Sequence, residues 1–272
     1  MFFTGSRIPA LFSVRNLVLS VAALLLLAGA VWLYLEWGWR QTGGQETAVS
    51  GAGRPAPLGG GGAPSPESLL PAAERGDRAA QSLLGRMYLS GAGVPQDLPQ
   101  AVRWTRQAAE GGDAKAQSNL GLMYRDGLGV PQDPAQALQW LAKAAEQGDA
   151  KAQNNLGSMF YGGQGAAKDL DAALLWYRKA AEQGHAVAEL NLAVMYAQGI
   201  GVERDYEAAA GWYRKAAEQG EPRAQFDLAV LYANGWGVEA DEDEALAWRE
   251  KAAAQGYPEA GYPAPVEKET VE

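Results

Sequence analysis

Side chains suited to chemistry are few in this chain and poorly placed for it. There is no cysteine, which excludes disulfides, thiolate metal sites and cysteine nucleophiles together. His185 is the only histidine, and it occupies a position held elsewhere by Asp77, Asp113, Asp149 and Glu221 at the start of a predicted helix. Committed to a helix terminus, it leaves no Ser-His-Asp arrangement to build. No spacing of His, Asp and Glu suggests a zinc site. The run Asp241-Glu242-Asp243-Glu244 is the one calcium-like feature. Consecutive carboxylates opening a helix point in different directions, whereas a calcium loop alternates its ligands, and the positive end of the helix explains the run more simply. The Gly-x-Gly sequences at 91–93, 127–129, 163–165, 199–201 and 235–237 follow no strand, and Gly59 to Gly62 precede no GK[ST], so neither reads as a nucleotide loop. The expectation is binding rather than catalysis, with no catalytic residue, metal or cofactor.

Two columns of polar residues are left as binding candidates. Asn119, Asn155, Asn191 and Asp227 recur every 36 residues, and one helical turn earlier stand Lys115, Lys151 and Arg223, with Ala79 and Val187 completing that column. Stacked repeats would align them into a ladder of amides flanked by cations. Such a ladder can hydrogen-bond an extended peptide backbone or grip a carboxylate; the plainer reading is a polar surface stripe. The expected partner is a protein or peptide lying in a concave groove.

The elements that position these columns come from a strict repeat. Glycines fall at 76, 112, 148, 184, 220 and 256, and the same period carries Leu84 to Leu228, Trp104 to Trp248 and Asp97 to Asp241. A fixed period of this length marks a stacked-repeat architecture. Five units result, at 77–112, 113–148, 149–184, 185–220 and 221–256. Each reads as helix, turn, helix. In the second unit Ala116, Leu120 and Tyr124 share one face, Gly127-Leu128-Gly129 stops the first helix, and Asp133-Pro134 starts the second, whose buried stripe is Ala137, Trp140 and Ala144. No single pair can bury these faces, so stacking supplies the core. Trp140→Ala is expected to cost about 3–5 kcal/mol. The fold class is all-α, an α-solenoid of about five 36-residue helix-turn-helix repeats over residues 67–260, preceded by one transmembrane helix. Residues 65–74 resemble the end of a second helix and would cap the array. Tyr257 begins a sixth unit, on which Trp236 is expected to pack, and 261–272 form a polar tail.

The net charge of -9 is unevenly spread: residues 1–66 carry four Arg against Glu36 and Glu46, and residues 67–272 are strongly acidic. An acidic folded part argues against nucleic acid, whose phosphates are bound through Lys and Arg. Residues 17–35 hold no charge, and a helix of that length spans roughly 28 Å, close to a bilayer's hydrocarbon core. Arg7 and Arg15 stand in the short basic segment 1–16; Trp32, Tyr34, Trp37 and Trp39 cluster at the far end of the apolar run. Segment 17–37 therefore reads as a signal-anchor with a cytoplasmic N-terminus and the repeats on the outer, periplasmic side. The alternative is export after signal cleavage near Ala30, at Ala28-Gly29-Ala30. Residues 41–66, rich in Gly and Pro, read as a flexible linker.

The columns AAEQGDAKAQ, NLG, MY, G-GV, D, A, W and KAAEQG, as they occur around residues 144–184, resemble the Sel1-like repeat, a relative of the tetratricopeptide repeat. Departures are Ala166 for Val in the turn, Ala193 and Ala229 for Gly, and His185 and Glu221 for Asp. The resemblance implies an adaptor or scaffold for membrane-associated or cell-envelope complexes, with the first helices lining the concave side. It also implies that the disulfides of some exported members are impossible here. The functional expectation is a membrane-anchored interaction scaffold. Its rival is an envelope enzyme that acts on peptide or glycan through paired carboxylates.

Overall fold

The computed structural model describes residues 65–258. The segments read as basic N-terminus (1–16), membrane anchor (17–37) and polar tail (261–272), and all of the linker but its last two residues, lie outside them. Among the described residues no helix is long and apolar enough to cross a membrane.

Eleven α-helices and no strand make up the described part: α1 (Pro66–Glu74), α2 (Arg78–Ser90), α3 (Leu98–Glu110), α4 (Ala114–Asp126), α5 (Pro134–Glu146), α6 (Ala150–Gly162), α7 (Leu170–Glu182), α8 (Ala186–Gln198), α9 (Tyr206–Glu218), α10 (Pro222–Asn234) and α11 (Glu242–Ala254). Even-numbered helices from α2 to α10 are the first helices of the five repeats and the odd-numbered ones from α3 are the second. Each helix packs on its neighbours in sequence, and α1 covers the exposed side of the first repeat as the half-unit cap.

The starts follow from the aspartate columns. Asp97, Asp133, Asp169 and Asp205 each accept a backbone N–H of the following helix's first turn at 2.9–3.0 Å, which satisfies a donor the helix cannot satisfy itself. The N–H of the same aspartates donates to the carbonyl of the aromatic near the end of the preceding helix, Asp133 to Tyr124 at 2.8 Å and Asp169 to Phe160 at 3.0 Å. One residue thus closes the turn and opens the next helix. In the other column Asp77, Asp113 and Asp149 cap the first helices, and where His185 stands in their place its Nδ1 takes over the cap, accepting from Ala188 N at 3.2 Å. The lone histidine is a helix cap.

Glycine is required twice in each turn. Gly127, at φ 71°, ends α4 in the left-handed conformation. The second glycine of the turn has a further reason: a side chain at Gly165 would run into the Pro134 carbonyl of the preceding repeat, and one at Gly201 would meet Leu170. From the second repeat on, the Gly-x-Gly turn therefore docks each repeat onto the start of the second helix before it.

The core is a series of small clusters, one per junction. Leu120, Met123 and Ala116 join Ala101, Ala108 and Ala109; Leu156, Met159 and Ala152 join Ala137, Leu141, Ala144 and Ala145. The alanine pairs let helices approach and the Leu and Met side chains fill the gap. The tryptophan column differs from its expected role. Only Trp104 is fully buried, at 2% exposure. Trp140, Trp176, Trp212 and Trp248 are half-buried, each with a lysine Nζ over its ring at 4.1, 4.2, 3.8 and 3.6 Å. Three residues further along the helix, the lysine stem covers the indole that the next repeat leaves open. The expected site of Trp236 is also corrected. Its indole stacks on Tyr206, with centroids 5.2 Å apart, while Tyr257 packs on Phe226.

Candidate functional site

The first helices lie side by side, and their shared face carries the polar columns. Lys115 and Lys151 are exposed there. Arg223 is half-buried and pairs with Asp227 one turn on, at 3.6 Å. Asn119 and Asn191 are half-buried, whereas Asn155 is 3% exposed. The amides are therefore not an open ladder. Asn155 Oδ1 accepts from Arg125 Nη1 at 3.1 Å and its Nδ2 donates to the Lys151 carbonyl at 2.9 Å. Asn191 Nδ2 donates to Asn154 Oδ1 of the preceding first helix at 3.0 Å. The stripe that faces water on one helix becomes an interface once a second first helix lies beside it, and the amides stitch α4 to α6 and α6 to α8.

Residues outside the predicted columns complete the face. Arg125 is held as a fork by Asp126, at 2.8 and 3.0 Å, and donates from Nη1 to Asn155 at 3.1 Å. Asn154 is buried; its backbone carbonyl accepts from Ser158 Oγ at 3.1 Å, and Ser158 Oγ accepts from Tyr177 OH at 3.0 Å. Burial pushes the Tyr177 phenol far above its ordinary range, against the hydrogen bond to Ser158. Desolvation also raises the phenol of Tyr161, at the end of α6, and the charge of Arg223 on α10 opposes it. Arg125, Asn154 and Tyr161 escaped the sequence reading because their columns do not repeat: Leu89, Tyr161, Ala197 and Ala233 stand where Arg125 does.

The second-helix side is built differently. Arg106, Arg178 and Arg214 each donate from Nη2 to the hydroxyl of the next repeat's tyrosine, Tyr124 at 3.0 Å, Tyr196 at 2.6 Å and Tyr232 at 2.6 Å. At the remaining junction the two positions hold Ala142 and Phe160. An open cleft of about 730 Å³ is lined by third-repeat residues, among them Phe160, Ala166, Lys168, Leu170 and Asp171, and by Gly201 of the fourth repeat. Its counterpart at Arg214 and Tyr232 measures about 500 Å³. Among the described residues no three or more His, Asp or Glu side chains are grouped to hold a metal ion. The Asp241–Glu244 run opens α11, with Asp241 accepting from the Asp243 and Glu244 N–H groups at 3.0 Å.

The Sel1 repeat matches five times, at 78–113, 114–149, 150–185, 186–221 and 222–257, one residue later than the boundaries read from the glycines. The chain belongs to the Sel1-repeat family. A search among curated proteins finds no match. Among solved structures, a protective antigen present in uropathogenic Escherichia coli strains and displaying an SLR fold is 42% identical over 70% of this chain, with a TM-score of 0.68. A Sel1 repeat protein from Oxalobacter formigenes is 39% identical, with a TM-score of 0.64, and the match covers 72% of this chain and 76% of that one. This chain spans 41% of the length of the Escherichia coli antigen. Sel1 repeats mediate protein–protein interaction, and the scaffold is typically non-catalytic.

Proposed function

We propose that this Sel1-repeat chain is a tethered interaction scaffold that holds a partner protein segment on the face formed by its first helices. One observation carries the reading: exposed Lys115 and Lys151 stand on the same helices whose amides are locked between repeats by Arg125–Asn155 and Asn154–Asn191. The amides fix the spacing of the helices and the cations project from that rigid frame. A frame of fixed donors and charges binds with little ordering cost. The ligand chemistry that fits is an extended segment carrying carboxylates, its acids meeting Lys115 and Lys151 and Arg223 beyond them. Residues 17–37 would anchor the chain and the Gly/Pro-rich stretch would let the array reach its partner from the outer, periplasmic side of the membrane.

Both parts are testable. Titration of the array with acidic and charge-neutralised versions of one extended peptide should give tighter binding to the acidic one, and K115A/K151A should weaken that binding by about tenfold at low salt. Equal affinity for the two peptides, or no change in the double variant, would remove the carboxylate reading. Protease added to cells with a permeabilised outer membrane should digest the array, and the intact mass of the purified protein should include residues 1–30. Protection of the array would overturn the topology; a mass beginning after Ala30 would replace the anchor by a cleaved signal.

A carboxylate enzyme finds less support. The buried carboxyl of Glu189 is raised, first by desolvation, but its Oε2 accepts from the side-chain amide of Gln219 at 2.7 Å in a helix interface.

A further inference from the structure

One buried column carries an acid where every other repeat carries an amide. Gln81, Gln117, Gln153 and Gln225 are buried near the start of their first helices. Each donates Nε2–H to a carbonyl at the end of the preceding helix: Ala73 at 2.9 Å, Ala109 at 3.0 Å, Ala145 at 3.0 Å and Ala217 at 3.1 Å. Three of them also accept, at Oε1, from a glutamine that ends their own repeat, Gln147 at 2.6 Å, Gln183 at 2.7 Å and Gln255 at 2.9 Å. Each such glutamine therefore bridges three helices, using both ends of its amide. The fourth repeat holds Glu189 at this position, 3% exposed.

Glu189 keeps half of the pattern. Its Oε2 accepts from Gln219 Nε2 at 2.7 Å, as the glutamines accept from theirs. By its place in the column, the other oxygen corresponds to the donating Nε2 of the glutamines, and the carbonyl at the matching position is that of Ala181, a buried residue. An ionised carboxylate has only lone pairs to offer a carbonyl. A carboxylic acid has one O–H, and the place where it is needed is the place where the amide N–H stands in the other repeats. We propose that Glu189 carries a proton in the folded array and donates it to the Ala181 carbonyl, so that the α7–α8 joint is tightened by acid and loosened by base, unlike its four sister joints.

The surroundings lean the same way. Desolvation raises the Glu189 carboxyl most and Glu218 on α9 adds to it; the Gln219 hydrogen bond and Lys215, also on α9, oppose. Glu182 ends α7 and His185 opens α8 one turn before Glu189. A carboxyl whose pKa is higher folded than unfolded stabilises the fold fully below the ordinary carboxylate range, and that contribution is lost as pH rises through the folded value. A glutamine at the same position does not titrate, and its joint does not change with pH.

The test compares melting temperatures of the full chain and its E189Q variant across a pH series from acid to neutral. The melting temperatures should converge in acid, and E189Q should melt about 2–6 °C higher at neutral pH. The converse variant, Gln153→Glu, should import the same pH-dependent loss into the α5–α6 joint. Carbon-13 observation of the Glu189 carboxyl should show it titrating above the other glutamates. An offset between the two melting curves that stays constant with pH, or a Glu189 carboxyl that titrates with the surface glutamates, would overturn the proposal.

Discussion

Two junctions of the array, alike in backbone, differ in what closes them. Between the third and fourth repeats Arg178 donates to the Tyr196 hydroxyl, and the turn residue Val202 packs into the core cluster beneath. Between the second and third repeats Ala142 and Phe160 have neither the guanidinium nor the hydroxyl, and Ala166 stands in place of the valine. The donor and acceptor are missing together, so neither is left without its partner, and the junction simply lacks that tie. The comparison teaches that the repeat columns fix where helices go, while the departures from them set how firmly each junction holds. In a nearest-neighbour array a weaker central junction is where the halves should part.

The largest expected effects come from the tryptophans at the junctions. Trp104→Ala, which empties a fully buried site at the first repeat, should cost about 3–5 kcal/mol by chemical denaturation. Trp140→Ala should cost less, about 2–3 kcal/mol, because its ring is half-buried under Lys143. Trp176, half-buried against the α5–α6 cluster at the junction that lacks the Arg–Tyr bond, should be the site whose alanine variant splits unfolding into two transitions. A single cooperative transition in that variant would contradict the ranking of junctions.

Asn155→Ala comes next, at about 1–3 kcal/mol, because it removes the Arg125 bond and a buried side chain between α4 and α6; Asn119→Ala, at a half-buried site, should cost less. Equal costs would mean that the amides do not act as stitches between first helices. A smaller and opposite effect is expected from the double variant A142R/F160Y, which supplies both halves of the missing bond and should stabilise by about 0.5–1.5 kcal/mol with positive coupling in a double-mutant cycle. Arg178→Ala should cost under about 1 kcal/mol, the guanidinium being exposed.

Much of this was legible in the residues. The glycine spacing gave the repeats to within one residue of the family match, and the Asp-Pro and Gly-x-Gly signals placed helix starts and ends because caps and left-handed turns are local chemistry. What escaped depends on neighbours 18 to 37 residues away. The Arg106–Tyr124 bond joins different columns, so aligning repeats does not pair them. Asn155 reads as surface on a lone helix and is buried only because α4 lies beside α6. The tryptophans read as core from their spacing, but a repeat that covers part of the indole and leaves the rest to lysine is a matter of packing angle. Trp236 has no counterpart in its column, so the repeat could not predict that it stacks on Tyr206.

The most direct test of the binding face places a photo-crosslinking residue at Lys151, exposed on α6, and in a second variant at Gln139, exposed on the second helix α5. Irradiated in cells that make the native chain's partners, the α6 position should yield one discrete crosslinked species and the α5 position none. Crosslinks from α5 alone, or from both positions with equal yield and the same partner, would contradict a scaffold that works through its first helices.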